Sequence, residues 1–213
     1  GFNTIETTEM KLIEGEKYPS LWLPRFDVEW HNQQWQRHGL ESVYSVLNKA
    51  SGSYLNHFEV IENLCDLLTL IDSEFDSAQF ICEWLQRDLL NIIFGNSDNH
   101  GRNTSFLKKS GKISLAPIYD FAPMKADPEV VTRSTTWGSP YEEGGEYRWM
   151  QITQKLAHLC DPHLSLTTLK SLASNLVGLK QRLIDKGVPK QIIEMPALSF
   201  NYVESKLERW ELL

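Results

Sequence analysis

A chain of 213 residues is long enough to bury one substantial core, or two small ones, without disulfide or metal staples. Its net charge of −7 argues against a general binder of nucleic-acid phosphate, whose affinity comes from clustered Lys and Arg. With 41% apolar and 23% charged residues, and no apolar run near the roughly 20 residues of a membrane helix, it reads as an ordinary globular chain with no membrane contact.

In chain order, Gly1 to Glu6 reads as a loop entering a strand, Glu14 to Lys17 as a turn, and Ser20 to Asp27 as a second strand. Two strands alone are marginal in water, so this ribbon is expected to pair with strands outside the sequence. Val28 to Arg37, polar and aromatic, predicts a loop or irregular turn. Leu40, Val43, Tyr44 and Leu47 recur at helical spacing. Phe58, Ile61, Leu64, Cys65, Leu68 and Ile71 form the stripe of a longer helix.

Asp76 predicts an N-cap for a third helix that buries Phe80, Ile81, Trp84, Leu85, Leu89, Ile92 and Ile93 and stops at Gly95. A loop then carries Asp98, His100, Arg102 and Asn103. Thr104 to Leu107 and Lys112 to Leu115 predict a hairpin about Lys108 to Gly111. Phe121 to Gly145, rich in Pro, Gly, Thr and charge, predicts a long loop, functional or disordered. Leu156 and Leu159 are assigned to one helix. The leucines from Leu166 to Leu183 form a stripe broken at Gly187 to Pro189, and a last helix is expected from Ala197 to Trp210. Trp137 and Trp149 suit either a core or a substrate contact. Cys65, Cys82 and Cys160, odd in number and set in apolar helical contexts, read as buried thiols of a reducing compartment, with the cytoplasm expected.

The chemistry concentrates after the third helix. Asp98 followed five positions later by Asn103, with Asp120 presented beyond the hairpin, supplies what phosphoryl transfer to a hydroxyl needs: a carboxylate to accept the hydroxyl proton, and two oxygen donors for magnesium on the phosphates. An isolated Asp-Asn-His-Gly reads more simply as an Asx turn, and Asp120 reverses that weighting. Asn103 also suits a hairpin cap, and Asp120 a cap for a short helix starting at Phe121. His100 reads as an imidazole that holds the loop, because no second His or Cys stands at ligand spacing. Arg25 and Arg102 suit either acidic neighbours or phosphates.

Three motifs, Leu23-Pro-Arg-Phe-Asp27, Asp98-Asn-His-Gly-Arg-Asn103 and Leu115-Ala-Pro-Ile-Tyr-Asp120, occur in the order and spacing of the HipA-like serine/threonine kinases of bacterial toxin–antitoxin systems, which the chain resembles over nearly its whole length. The resemblance implies a mainly α-helical, protein-kinase-like C-terminal lobe with a short N-terminal β-ribbon and a catalytic β-hairpin. Residues 1–27 would be the end of the N-lobe and the hinge strand, and 28–213 the helical lobe with catalytic loop 96–103 and metal-binding turn 119–121. It implies Asp98 as catalytic base, Asn103 and Asp120 as Mg2+ ligands, and nucleotide contacts from Pro24, Arg25, Phe26, His100, Gly101, Arg102, Asn103 and Tyr119, with ATP as co-substrate. A protein substrate among translation components such as an aminoacyl-tRNA synthetase, and a DNA-binding antitoxin partner, are implied by the family alone.

The family's phosphate-binding loop and its phosphate-holding lysine have no counterpart in these residues. Either the chain is a piece of a longer kinase, the favoured reading, or another chain supplies the lobe. Each lost electrostatic contact should cost about 3 to 4 kcal/mol of transition-state stabilisation, so the chain alone is expected to be nearly inactive. Two alternatives stand beside the kinase: a metal-dependent nuclease using Asp98, Asn99 and His100, and a kinase-like binding module without catalysis.

Overall fold

The computed structural model describes residues 2–213, so Gly1 of the opening loop lies outside the described residues. A 3-10 turn at Thr7–Glu9 leads into β1 (Lys11–Ile13), which pairs antiparallel with β2 (Ser20–Trp22). Leu12, Leu21 and Trp22 remain exposed on this ribbon. Next come β3 (Val28–His31) and β4 (Gln34–Arg37), a second antiparallel ribbon in the stretch expected to be a loop. Its two-residue turn, Asn32–Gln33, has φ of 48° and 62° at the two positions. That left-handed pair matches the twist of the flanking strands, and Asn tolerates it better than most side chains. Trp30 and Trp35 meet edge to face on the ribbon, 5.1 Å between centroids, and stay exposed.

Leu40 belongs to β5 (Gly39–Ser42) rather than to the expected helix, which shrinks to the single turn α1 (Val43–Val46). The short β6 (Leu55–Asn56) leads into α2 (His57–Ile71), where Asn56 Oδ1 accepts the Phe58 and Glu59 amides as N-cap. Phe58, Ile61, Leu64, Cys65 and Leu68 are buried as their spacing predicts, but Ile71, the last residue of the helix, is exposed. Helix α3 (Ser77–Phe94) starts at the Asp76 cap and ends at Gly95, as the sequence implies. All seven of its expected core residues are buried, each contributing about 1.5 to 3 kcal/mol through apolar burial.

The hairpin of β7 (Ser105–Lys109) and β8 (Lys112–Leu115) joins β5 in a three-stranded antiparallel sheet, with Leu40 opposite Leu107 and Phe106 opposite Leu115. The segment after Asp120 is built into the fold. Its β9 (Thr135–Thr136) pairs in parallel with β6, and β10 (Glu142–Glu143) pairs with β11 (Glu146–Tyr147). Trp137 and Trp149 are both core, at 1% and 0% exposure.

Helix α4 (Trp149–Lys155) stops before Leu156 and Leu159. The leucine stripe divides into α5 (Pro162–Leu176), which packs on α3, and α6 (Leu179–Asp185), because Gly178 turns left-handed at φ 71°. After α7 (Lys190–Ile193), the expected last helix is a 3-10 turn at Phe200–Tyr202 running into α8 (Val203–Arg209). The described chain is thus eight helices with eleven short strands in small sheets, more strand-rich than "mainly α" conveys. No described helix is long and apolar enough to cross a membrane. All three cysteines are free and buried. Burial pushes the Cys65 thiol up to about 11 and the Cys160 thiol up to about 12, so neither supplies thiolate at neutral pH.

Candidate active site

Helix α3 aims the loop. Gly95 takes the left-handed cap at φ 70°, and a Cβ there would sit 2.7 Å from Leu198 Cδ2, so glycine is required for both conformation and space. The Lys125 amide closes on the Gly95 carbonyl at 2.9 Å, fixing the loop's first residue from the far side.

Within the loop, the Asn103 side-chain amide donates to the Asp98 carbonyl at 2.8 Å. This bond closes the loop across five residues and leaves Asn103 Oδ1 without a protein partner among the described residues. His100 Nε2 lies 3.5 Å from Asp98 Oδ1. The His100 Nδ1 accepts the Arg102 amide at 3.3 Å, which places the imidazole proton on Nε2, toward the carboxylate. Both side chains are about one-third exposed (32% and 33%), so the carboxylate remains reachable.

Gly101 makes the loop's tightest approach. An added Cβ would lie 2.7 to 2.9 Å from three ring carbons of Tyr44, whose amide donates to the Gly101 carbonyl and whose hydroxyl is tied to Ser53 O at 2.7 Å. With the ring pinned at its far end, Gly101→Ala is expected to destabilise the chain by about 1 to 3 kcal/mol. A urea midpoint indistinguishable from that of the unmodified chain would refute this.

The third motif docks on the second through Tyr119. Its hydroxyl donates to the Arg102 carbonyl and takes the Ser105 Oγ hydrogen at 2.6 Å. Burial raises the phenol pKa, so the donor proton is kept. The Phe26 ring lies against Tyr119, 5.4 Å between centroids, bringing one residue of the first motif beside the third. Arg25 turns instead to Asp27, with its Nε 2.9 Å from Oδ1, and Pro24 makes no polar or ring contact with the loop. Asp120 has φ 51° and is exposed, with no hydrogen bond or ion pair among the described residues. It caps no helix; the next helical turn, Met124–Ala126, follows Pro123. The Arg102 side chain is exposed and unpaired among the described residues.

Sequence reasoning missed a buried polar set behind the loop. Asp88, on the apolar face of α3, takes two bonds from Arg133 Nη2 (2.9 and 3.1 Å) and one from Trp137 Nε1 (2.8 Å). His57 Nε2 stands 3.5 Å from Asp88 Oδ2, and His57 Nδ1 accepts from Trp84 Nε1 at 3.0 Å. Glu142 Oε1 takes Arg133 Nε at 3.0 Å, and its Oε2 takes the Trp137 amide at 2.8 Å. One signal was available: Asp88 falls at helical spacing with Trp84, Leu85 and Ile92, a charge inside an apolar stripe. Asn99 is one of the residues the nuclease alternative would use. It is buried, and its side chain is committed to the backbone of Ser134 and Thr135.

A helical domain whose central helix delivers a loop of oxygen donors beside a hairpin is the class that this geometry defines. The profile of the HipA-like C-terminal domain matches residues 3–182. The chain belongs to that family. Among solved structures it is similar to HipA of a Shewanella oneidensis MR-1 toxin–antitoxin system, determined with HipB and its operator DNA: 17% identity, TM-score 0.68, covering 99% of this chain and 52% of that one. The chain therefore spans about half the length of that relative. No curated protein matches it significantly.

Proposed function

We propose that the chain is the catalytic C-terminal lobe of an ATP- and magnesium-dependent kinase that phosphorylates a protein Ser or Thr hydroxyl. Residues 1–27 would be the end of the N-lobe and the hinge, and 28–213 the C-lobe. The observation that carries the reading is the division of labour in the loop. Asn103 spends its NH2 on Asp98 O and keeps its carbonyl oxygen, while the Asp120 carboxylate, next to the Tyr119 anchor, is equally uncommitted. A carboxamide oxygen and a carboxylate are hard donors suited to Mg2+, which binds through a few such ligands and substrate phosphates. Asn103 and Asp120 would hold the ion, and when bound it would neutralise charge on those phosphates.

Asp98 would accept the substrate hydroxyl proton, oriented by the Nε2–H of His100. The loop His100 to Asn103, Tyr119 and the hinge Pro24 to Phe26 would border the nucleotide. The phosphate-binding lobe would come from the same polypeptide or from another. A protein substrate from the translation machinery, a DNA-binding antitoxin partner in the place that HipB holds beside the solved relative, and a cytoplasmic setting complete the reading. The nuclease alternative loses ground because Asn99 Oδ1, the one atom of that side chain able to ligate a metal, already takes the Ser134 and Thr135 amides.

The test is calorimetry of Mg-ATP binding to this chain and to an N-terminally extended one, each with and without Asp120→Ala. The expected result is that the extended protein binds and that Asp120→Ala abolishes the magnesium dependence, with this chain alone turning over almost no ATP. Failure of both proteins to bind nucleotide would overturn the proposal and bring the non-catalytic binding module forward.

A further inference from the structure

The loop carrying Asp98 is held at its ends by α3 and by the Tyr119 contact, and a third restraint acts at its middle. Asn99 Nδ2 donates to Thr135 O at 2.8 Å, its Oδ1 takes the amides of Ser134 (3.2 Å) and Thr135 (3.4 Å), and Thr135 Oγ1 donates back to Asn99 O at 2.8 Å. Each face of the Asn99 side chain is used, and its own carbonyl is used as well. The partner segment is itself immobilised. Leu55 N donates to Ser134 O at 2.8 Å, and Arg133 and Trp137, flanking the segment, both bind Asp88 on α3. The restraint therefore forms a closed circuit: Asp88 on α3 to Arg133 and Trp137, along Ser134–Thr135 to Asn99, and through the loop back to the end of α3.

We infer that Asn99 is a positioning residue for Asp98, a clasp that converts the buried Asp88–Arg133 pair into a fixed placement of the catalytic loop. The inference rests on the kinase reading for its consequence and on the hydrogen bonds for its geometry. A carboxylate displaced by about 1 Å can lose about 10²-fold in rate, and the residue that these four bonds anchor is the immediate chain neighbour of Asp98. A residue that only supported the fold could be replaced with losses in proportion to stability. A positioning residue loses rate while the protein stays folded.

The experiment compares Asn99→Ala, Thr135→Val and Thr135→Ser. Amide hydrogen exchange is measured in this chain, and Mg-ATP turnover in the N-terminally extended protein. Val keeps the shape of Thr and deletes the bond to Asn99 O, whereas Ser keeps that bond. The expected result is exchange at Asp98 to Asn103 accelerated by about tenfold or more in Asn99→Ala and Thr135→Val, with the most protected amides of α3 unchanged. Turnover in both should show kcat reduced by up to about 10²-fold with the KM for ATP nearly unchanged, and Thr135→Ser should restore both readouts. The inference is overturned if loop exchange is unchanged, if kcat falls only as far as the folded fraction falls, or if Thr135→Ser is as impaired as Thr135→Val. Absence of turnover in the unmodified extended protein would defeat the kinase reading and not the clasp, which the exchange measurement alone then decides.

Discussion

Asp98→Asn in the N-terminally extended protein is expected to cut transfer of the ATP γ-phosphate by about 10³-fold, the middle of the range for losing a general base. The carboxamide has nearly the shape of the carboxylate, and the bond that closes the loop comes from Asn103 to the backbone of residue 98, so the loop should keep its form. Nucleotide affinity by calorimetry is then expected to stay close to that of the unmodified protein. This separates Asp98 from Asp120, whose replacement should act on magnesium-dependent binding. An Asp98→Asn protein with unchanged transfer rate would remove Asp98 from the chemistry.

The largest stability effect is expected from Arg133→Leu, which strands a carboxylate that is 2% exposed. Breaking a buried pair from one side costs about 3 to 5 kcal/mol, or about 10 °C in melting temperature for a chain of this size. Acid should expose the same pair. Burial alone would raise the Asp88 pKa, but Arg133, then His57 and Trp137, more than offset it and hold the carboxyl well below its usual range. The unfolded carboxylate takes up a proton near pH 4 and the folded one resists, so protons favour unfolding. The contribution of Asp88 is thus complete above about pH 5 and declines as pH falls below about 4. Urea titrations at several pH values should show Asp88→Asn less stable at neutral pH with a shallower acid slope. An acid slope identical to that of the unmodified chain would exclude Asp88 as its source.

Helix α3 and its loop were legible because several local signals agreed: the Asp76 cap, an unbroken apolar stripe, and a glycine where the chain must turn left-handed. The hairpin of β7 and β8 was legible for similar reasons. The ribbon at Val28–Arg37 was not, because both its faces lie largely in solvent and no apolar alternation marks it. The division at Gly178 was hidden by leucines that keep helical spacing across the break, while the Gly178 amide finds Glu204 Oε1 at 2.8 Å, a partner 26 residues away. Residues 121–145 looked like a free loop because their anchors are long-range: Arg133 and Trp137 need Asp88, and Thr135 needs Leu55 and Asn99. Within the proposed site, Asp98, Asn103 and Asp120 stand out in the sequence by residue type and spacing alone. The Asn99 clasp does not, since a buried asparagine and a metal-ligating one look alike in a sequence.

The seven tryptophans divide into two optical populations. Trp22, Trp30 and Trp35 stand on the exposed ribbons, whereas Trp84, Trp137, Trp149 and Trp210 are buried. Two of the buried indoles donate into the polar set, Trp137 to Asp88 and Trp84 to His57. Emission that resists an aqueous quencher therefore comes from the four core indoles, two of which touch the polar set around the Asp88–Arg133 pair. The quenchable fraction comes from the ribbons, so one fluorescence experiment can follow the buried polar set behind the Asp98 loop and the N-terminal surface separately.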